Sequence, residues 1–137
     1  MIGVVAVAVI LAGCGGRDAT PEGVVRAWSA ALNHGDDSKA AALFARGALI
    51  VQGGVSTQLE TRAQARAWNA GLPCAGKIVR LTTTGEVVTA TFLLVDRPRH
   101  RCEDPGARAI TAFRVRRGKI ALWHELGAQP APQQPIA

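Results

Sequence analysis

The stretch ARAITAFRVRRGKIALWHEL, residues 107–126, decides the fold. Two runs of strand-forming residues, Ala107 to Val115 and Lys119 to Leu126, flank Arg117-Gly118, which is the pattern of a β-hairpin. Upstream, Ile78 to Thr83 and Val87 to Val95 repeat the pattern around Gly85, and the polar segment Arg97 to Gly106 makes a longer connection. Strands that follow one another through short turns pair with their neighbours, so these four form an antiparallel meander.

Residues before the meander follow a helical period. Thr20-Pro21-Glu22 supplies a hydroxyl cap, a proline at the first helical position and an early acid. Val24, Val25, Trp28, Ala31 and Leu32 then form one apolar stripe, and Gly35 supplies the left-handed stop after His34. Asp36 or Asp37 caps a second helix, Ser38 to Arg46, which offers Ala41, Ala42, Leu43 and Phe44 to a core. Ala48, Ile50 and Val51 read as a short strand ended by Gly53-Gly54. Thr61 opens a third helix with Ala63, Ala67, Trp68 and Leu72 on its apolar side, stopped by Pro73. Three helices followed by a meander specify an α+β domain in which helices cover one face of a curved antiparallel sheet.

At the start, the uncharged run Ile2 to Ala12 closes on Leu11-Ala12-Gly13-Cys14. This resembles the cleavage and lipidation box of a bacterial lipoprotein. The run is too short to span a bilayer, which needs about 20 apolar residues; a buried strand or an uncleaved anchor is the alternative. The expected organisation is a signal peptide at 1–13, a lipidated linker at 14–19, one domain at 20–127 and a disordered Pro/Gln tail at 128–137. An acyl group on Cys14 would tie the domain to a membrane on the extracytoplasmic face, periplasmic or extracellular. With Cys14 set aside, Cys74 and Cys102 remain as an even pair, the count expected of one disulfide in an oxidising compartment, with two separate thiols as the alternative.

The chain carries 16 Lys and Arg against 10 Asp and Glu, a formal charge of +6. Arginines gather at Arg97, Arg99 and Arg101 beside His100, and again at Arg114, Arg116 and Arg117 beside Lys119. Such runs face solvent or anionic lipid. Aromatic residues do not alternate with them as single-strand nucleic-acid platforms require, so nucleic acid is not an expected partner.

The element order, the helix ending in His34-Gly35-Asp36, the Ala41-to-Phe44 run and the closing Arg117 to Trp123 together resemble the nuclear transport factor 2-like superfamily, nearest its SnoaL-like and limonene-epoxide-hydrolase-like members. The resemblance spans residues 20–127 and implies a cone whose helices and curved sheet enclose an apolar pocket. Pocket-lining candidates are Trp28, Phe44, Trp68, Phe92, Leu94, Trp123 and Glu125; of the aromatic set, which also includes Phe113, about two thirds are expected to be core packing, and the sequence does not say which. Epoxide-hydrolase-like members carry an arginine and a carboxylate two residues apart on a middle strand, where this chain has Phe92 and Leu94; only the last-strand carboxylate has a counterpart, Glu125. Ketosteroid-isomerase-like chemistry uses a tyrosine phenol, and this chain has no tyrosine. His124 and Asp96 are the other acid-base candidates, one assigned to the opposite strand face and the other to a turn. His34, Asp36 and Asp37 read as helix stop and caps rather than metal ligands, and no metal or cofactor is expected. The implied function is a lipid-anchored domain that binds a small hydrophobic ligand or acts as a scaffold without catalysis. The alternative is an isomerase, cyclase or hydrolase with Glu125 as general base, and homodimerisation through the open sheet face is a further expectation.

Overall fold

The computed structural model describes residues 19–133 and 135; the signal-peptide reading and Cys14 lie outside them. Helices α1 (Pro21–Asn33), α2 (Asp37–Ala42) and α3 (Arg62–Ala70) combine with strands β1 (Phe44–Gln52), β2 (Val55–Leu59), β3 (Ala75–Thr84), β4 (Val87–Val95), β5 (Arg108–Arg116) and β6 (Lys119–Gln129). The strands form one six-stranded sheet in the order β2-β1-β6-β5-β4-β3. β3 to β6 make the antiparallel meander. β1 runs parallel to β6 and carries β2 on its outer edge as a hairpin.

Each helix start follows from its cap. The Thr20 hydroxyl accepts from the Gly23 amide, the Asp36 carboxylate from Lys39 and the Thr61 hydroxyl from Gln64, each satisfying an amide that the helix itself leaves free. Gly35 adopts φ 71° after α1, and its amide and that of Asp36 close back onto Leu32 and Ala31. α1 then lies across β3 to β6 with Val24, Val25, Trp28, Ala31 and Leu32 buried against them.

Several sequence readings are corrected. The second helix stops at Ala42, and Phe44 opens β1 instead of extending the helix to Arg46. Phe44 pairs with Ile120 of β6, and the Leu43 carbonyl accepts from the Ile120 amide at 2.8 Å, so strand pairing captures the chain. The run Ala48 to Val51 is therefore the middle of a nine-residue strand with an irregular stretch around Gly47, at φ 75°. Gly53 and Gly54, both with positive φ, end β1 as expected and form the turn of a hairpin. They lead into β2, whose polar residues Ser56 to Gln58 are exposed and show no apolar alternation. α3 is rotated from part of the expected stripe: Ala63 and Ala67 are exposed while Ala65 and Asn69 are buried, whereas Trp68 and Leu72 pack against the core as expected. β6 also runs through Ala128 and Gln129, which pair with Ala109 and Arg108, so the first two residues of the expected tail belong to the sheet.

The rotation of α3 has a polar cause. Asn69, fully buried, accepts from Trp28 Nε1 through Oδ1 at 2.8 Å and donates through Nδ2 to the Ala65 carbonyl at 2.8 Å. Its own carbonyl accepts from Arg97 Nη1 at 2.7 Å. Arg97, expected in a solvated basic turn, is instead only 8% exposed. It donates as well to Leu72 O and pairs with the Asp37 carboxylate. One guanidinium thus joins α2, the end of α3 and the loop after β4. The Cys74–Cys102 disulfide, with a sequence separation of 28, fastens the same loop to the start of β3.

Two outcomes follow. Arg97→Met should destabilise the domain by about 3 kcal/mol, because it leaves Asp37 and the α3 carbonyls without their donor; Asp37→Asn should cost less, since Asp37 keeps solvent contact. Chemical denaturation curves measure both. In the chain-entropy view a loop of this length makes the disulfide worth about 3–4 kcal/mol, so thiol reductant should lower the denaturation midpoint accordingly, and a Cys74→Ser, Cys102→Ser chain should match the reduced one.

Candidate functional site

The inner faces of β4, β5 and β6 present their alternate residues to α1. Thr111 of β5 stands opposite Glu125 of β6, and Phe113 opposite Trp123, on this face. An irregularity between Ile110 and Thr111 in the β5–β6 register follows immediately. A cavity of about 110 Å3 opens at this end of the sheet, between α1, the start of β3 and the ends of β1, β4 and β6.

Of the residues expected at a pocket, Trp28, Phe92, Leu94, Trp123 and Glu125 line this cavity. Phe44 and Trp68 do not: they pack edge to face on each other at 5.6 Å, and Trp68 packs edge to face on Trp123 at 5.0 Å. Phe113 is fully buried. The walls meet steeply, with the Trp28 ring 76° from Phe92 and 66° from Trp123. Other cavity residues escaped the sequence reading, among them Thr111 and Gln52. Thr111 could have been found from its alternation with Phe113 and Val115. Gln52 could not, because only the parallel pairing of β1 with β6 brings it to Glu125.

Gly76 sets the floor. A Cβ there would lie 2.9 Å from the Phe92 Cβ, so no other residue lets β3 pass this close to the ring. Its carbonyl accepts from Ser29 Oγ and from Asn33 Nδ2, which fixes the distance between α1 and the start of β3. Cys74 stands on the cavity rim, so the disulfide also braces its opening.

Glu125 is half-buried, and its Oε2 accepts from Gln52 Nε2 at 2.9 Å. Among the described residues it makes no ion pair; the salt bridges there are Arg97–Asp37 and Arg116–Glu86. Trp28 has Asn69 for its indole N–H, whereas the buried Trp123 Nε1 has no acceptor. Among the described residues lining the cavity Glu125 is the one free ionisable group, since Cys74 is oxidised. His124 lies on the outer sheet face between Ala112 and Val51. Asp96 accepts from the Cys102 amide and serves its loop. His34 closes α1, with Nδ1 2.7 Å from the Ala30 carbonyl, Asp36 caps α2 and Asp37 holds Arg97. The site can therefore accept one proton or one hydrogen-bond donor at Glu125. Neither a second ionisable group nor the arginine and carboxylate of an epoxide-opening strand faces it, because Phe92 and Leu94 occupy those places.

Comparison with known proteins agrees with this architecture. A nuclear transport factor 2-like protein from Burkholderia xenovorans superposes with a TM-score of 0.66 at 16% identity, covering 88% of this chain and 91% of its own. One from Cytophaga hutchinsonii gives 0.64 at 12% identity, covering 77% and 88%. A protein of ketosteroid isomerase-like fold from Catenulispora acidiphila, solved in complex with trimethylamine, gives 0.61 at 20% identity, covering 76% and 84%. These likenesses concern the fold. No curated protein matches the sequence. The SnoaL-like domain profile matches residues 25–123, from the first buried turn of α1 to the tryptophan of the last strand, and the chain belongs to the SnoaL-like domain family.

Proposed function

We propose that this chain is a lipid-anchored, extracytoplasmic binding domain whose cavity holds a small ligand without transforming it. The observation that carries the reading is the cavity wall: aromatic and aliphatic on most sides, with a single ionisable group in Glu125. General acid-base chemistry needs a donor and an acceptor on either side of the reacting bond, and only one is present. Size points the same way. Roughly 300–1,000 Å3 is usual for drug-sized ligands, so about 110 Å3 suits a molecule of a few heavy atoms. The relative from Catenulispora acidiphila is in complex with a molecule of that size, trimethylamine.

The anchor rests on Leu11-Ala12-Gly13-Cys14 and on the oxidised Cys74–Cys102 pair, a state favoured outside the cytoplasm. No helix among the described residues is long and apolar enough to cross a membrane. A second reading, a SnoaL-like isomerase, cyclase or hydrolase, draws on the same Glu125, which reaches the cavity and could serve as a general base on an apolar substrate.

Three outcomes test these readings. Cys14→Ser should abolish incorporation of radiolabelled fatty acid and release the protein from the membrane fraction; labelling that persists refutes the anchor. Native mass spectrometry of gently purified protein should show a retained small molecule that leaves chemically unchanged, whereas turnover lost in a folded Glu125→Gln variant would establish the enzyme instead. Gly76→Ala should push Phe92 into the cavity, cost about 1–3 kcal/mol in stability, and eliminate the retained molecule.

A further inference from the structure

Resting on the binding reading above, we infer that the cavity selects a small organic cation, an alkylammonium of a few carbons. The chain has an excess of basic residues, yet among the described residues none pairs with Glu125; its hydrogen-bond partner is the neutral amide of Gln52, which engages one carboxylate oxygen. The surface acid Glu86, by contrast, is matched with Arg116. A carboxylate left without a counter-charge at the edge of an apolar hollow is disfavoured once a ligand displaces its water, unless the ligand itself brings positive charge.

The remaining walls suit the same occupant. Trp28, Phe92 and Trp123 enclose the hollow with rings set at steep angles to one another, and alkylammonium groups are attracted to indole and phenyl rings while their methyl groups fill apolar space. A neutral molecule of equal shape would leave Glu125 unpaired. An anion would meet its repulsion directly. The volume is small for a ligand as large as a steroid.

The test uses three probes that share a tert-butyl group and differ in charge: tert-butylammonium and tert-butanol, which match in size, and the slightly larger pivalate. Each is titrated into the mature chain, with binding followed by intrinsic fluorescence, since two of the three tryptophans line the cavity. The cation should bind at least about tenfold more tightly than the alcohol, a ratio within reach of one carboxylate contact, and pivalate should not bind. Glu125→Gln should bring the cation and the alcohol to similar affinity. Equal binding of cation and alcohol by the unaltered chain would overturn charge selection while leaving the binding reading in place. Failure of all three to bind would overturn both. Because the three-probe comparison needs no substitution, its outcome does not depend on the variant folding.

Discussion

The hydrogen bond from the Trp28 indole to the Asn69 side chain is the constraint on which the rest of the domain depends. Trp28 sits where α1 crosses the sheet and touches the rings of Phe92, Phe113 and Trp123. Burying its N–H there without an acceptor would cost about 1–3 kcal/mol. Asn69 supplies that acceptor and thereby fixes the rotation of α3. The same residue presents its backbone carbonyl to Arg97, which carries the link to Asp37 and to the loop closed by Cys102. A short polar chain running through the core thus decides how three helices and one loop sit over the sheet.

Much of this was legible in the sequence because local pattern and final environment agree. The stripe of α1 and the alternation in β4, β5 and β6 face one side of one core, so periodicity identifies them. The bond between Cys74 and Cys102 was the expected pairing once Cys14 was set aside. Where the environment differs from the local pattern, the reading fails. Residues Val55 to Leu59 form an edge strand with only Leu59 buried, so nothing in their hydropathy announces a strand. Phe44 looks helical beside three alanines until β6 captures it. Asn69 breaks the apolar stripe of α3 because a tertiary hydrogen bond outranks hydropathy there, and Arg97 resembles its exposed neighbours Arg99 and Arg101 until its carbonyl partners are known.

The candidate site follows the same logic. Residues reaching it by strand alternation, among them Phe92, Trp123 and Glu125, could be named in advance, whereas Gln52 depends on a pairing between segments far apart in the chain. The hollow itself is a product of omission: at Gly76 a side chain is missing, and the space is bounded by Phe92 on one side and by α1 on the other. The shape of the cavity is therefore controlled by backbone spacing more than by the bulk of its walls. Its charge is controlled by Glu125, held in place by an amide that leaves its formal charge intact.

The parallel contact between β1 and β6 also orders events during biosynthesis. β1 leaves the ribosome early, but the neighbour that aligns it is the last strand to be made, and α1 finds its resting surface only when β3 to β6 exist. Loop closure over so long a span slows folding. The amino-terminal half gains its packing partners only once the carboxy-terminal strand is present, so a chain lacking β6 loses the neighbour that aligns β1 as well as its own final segment.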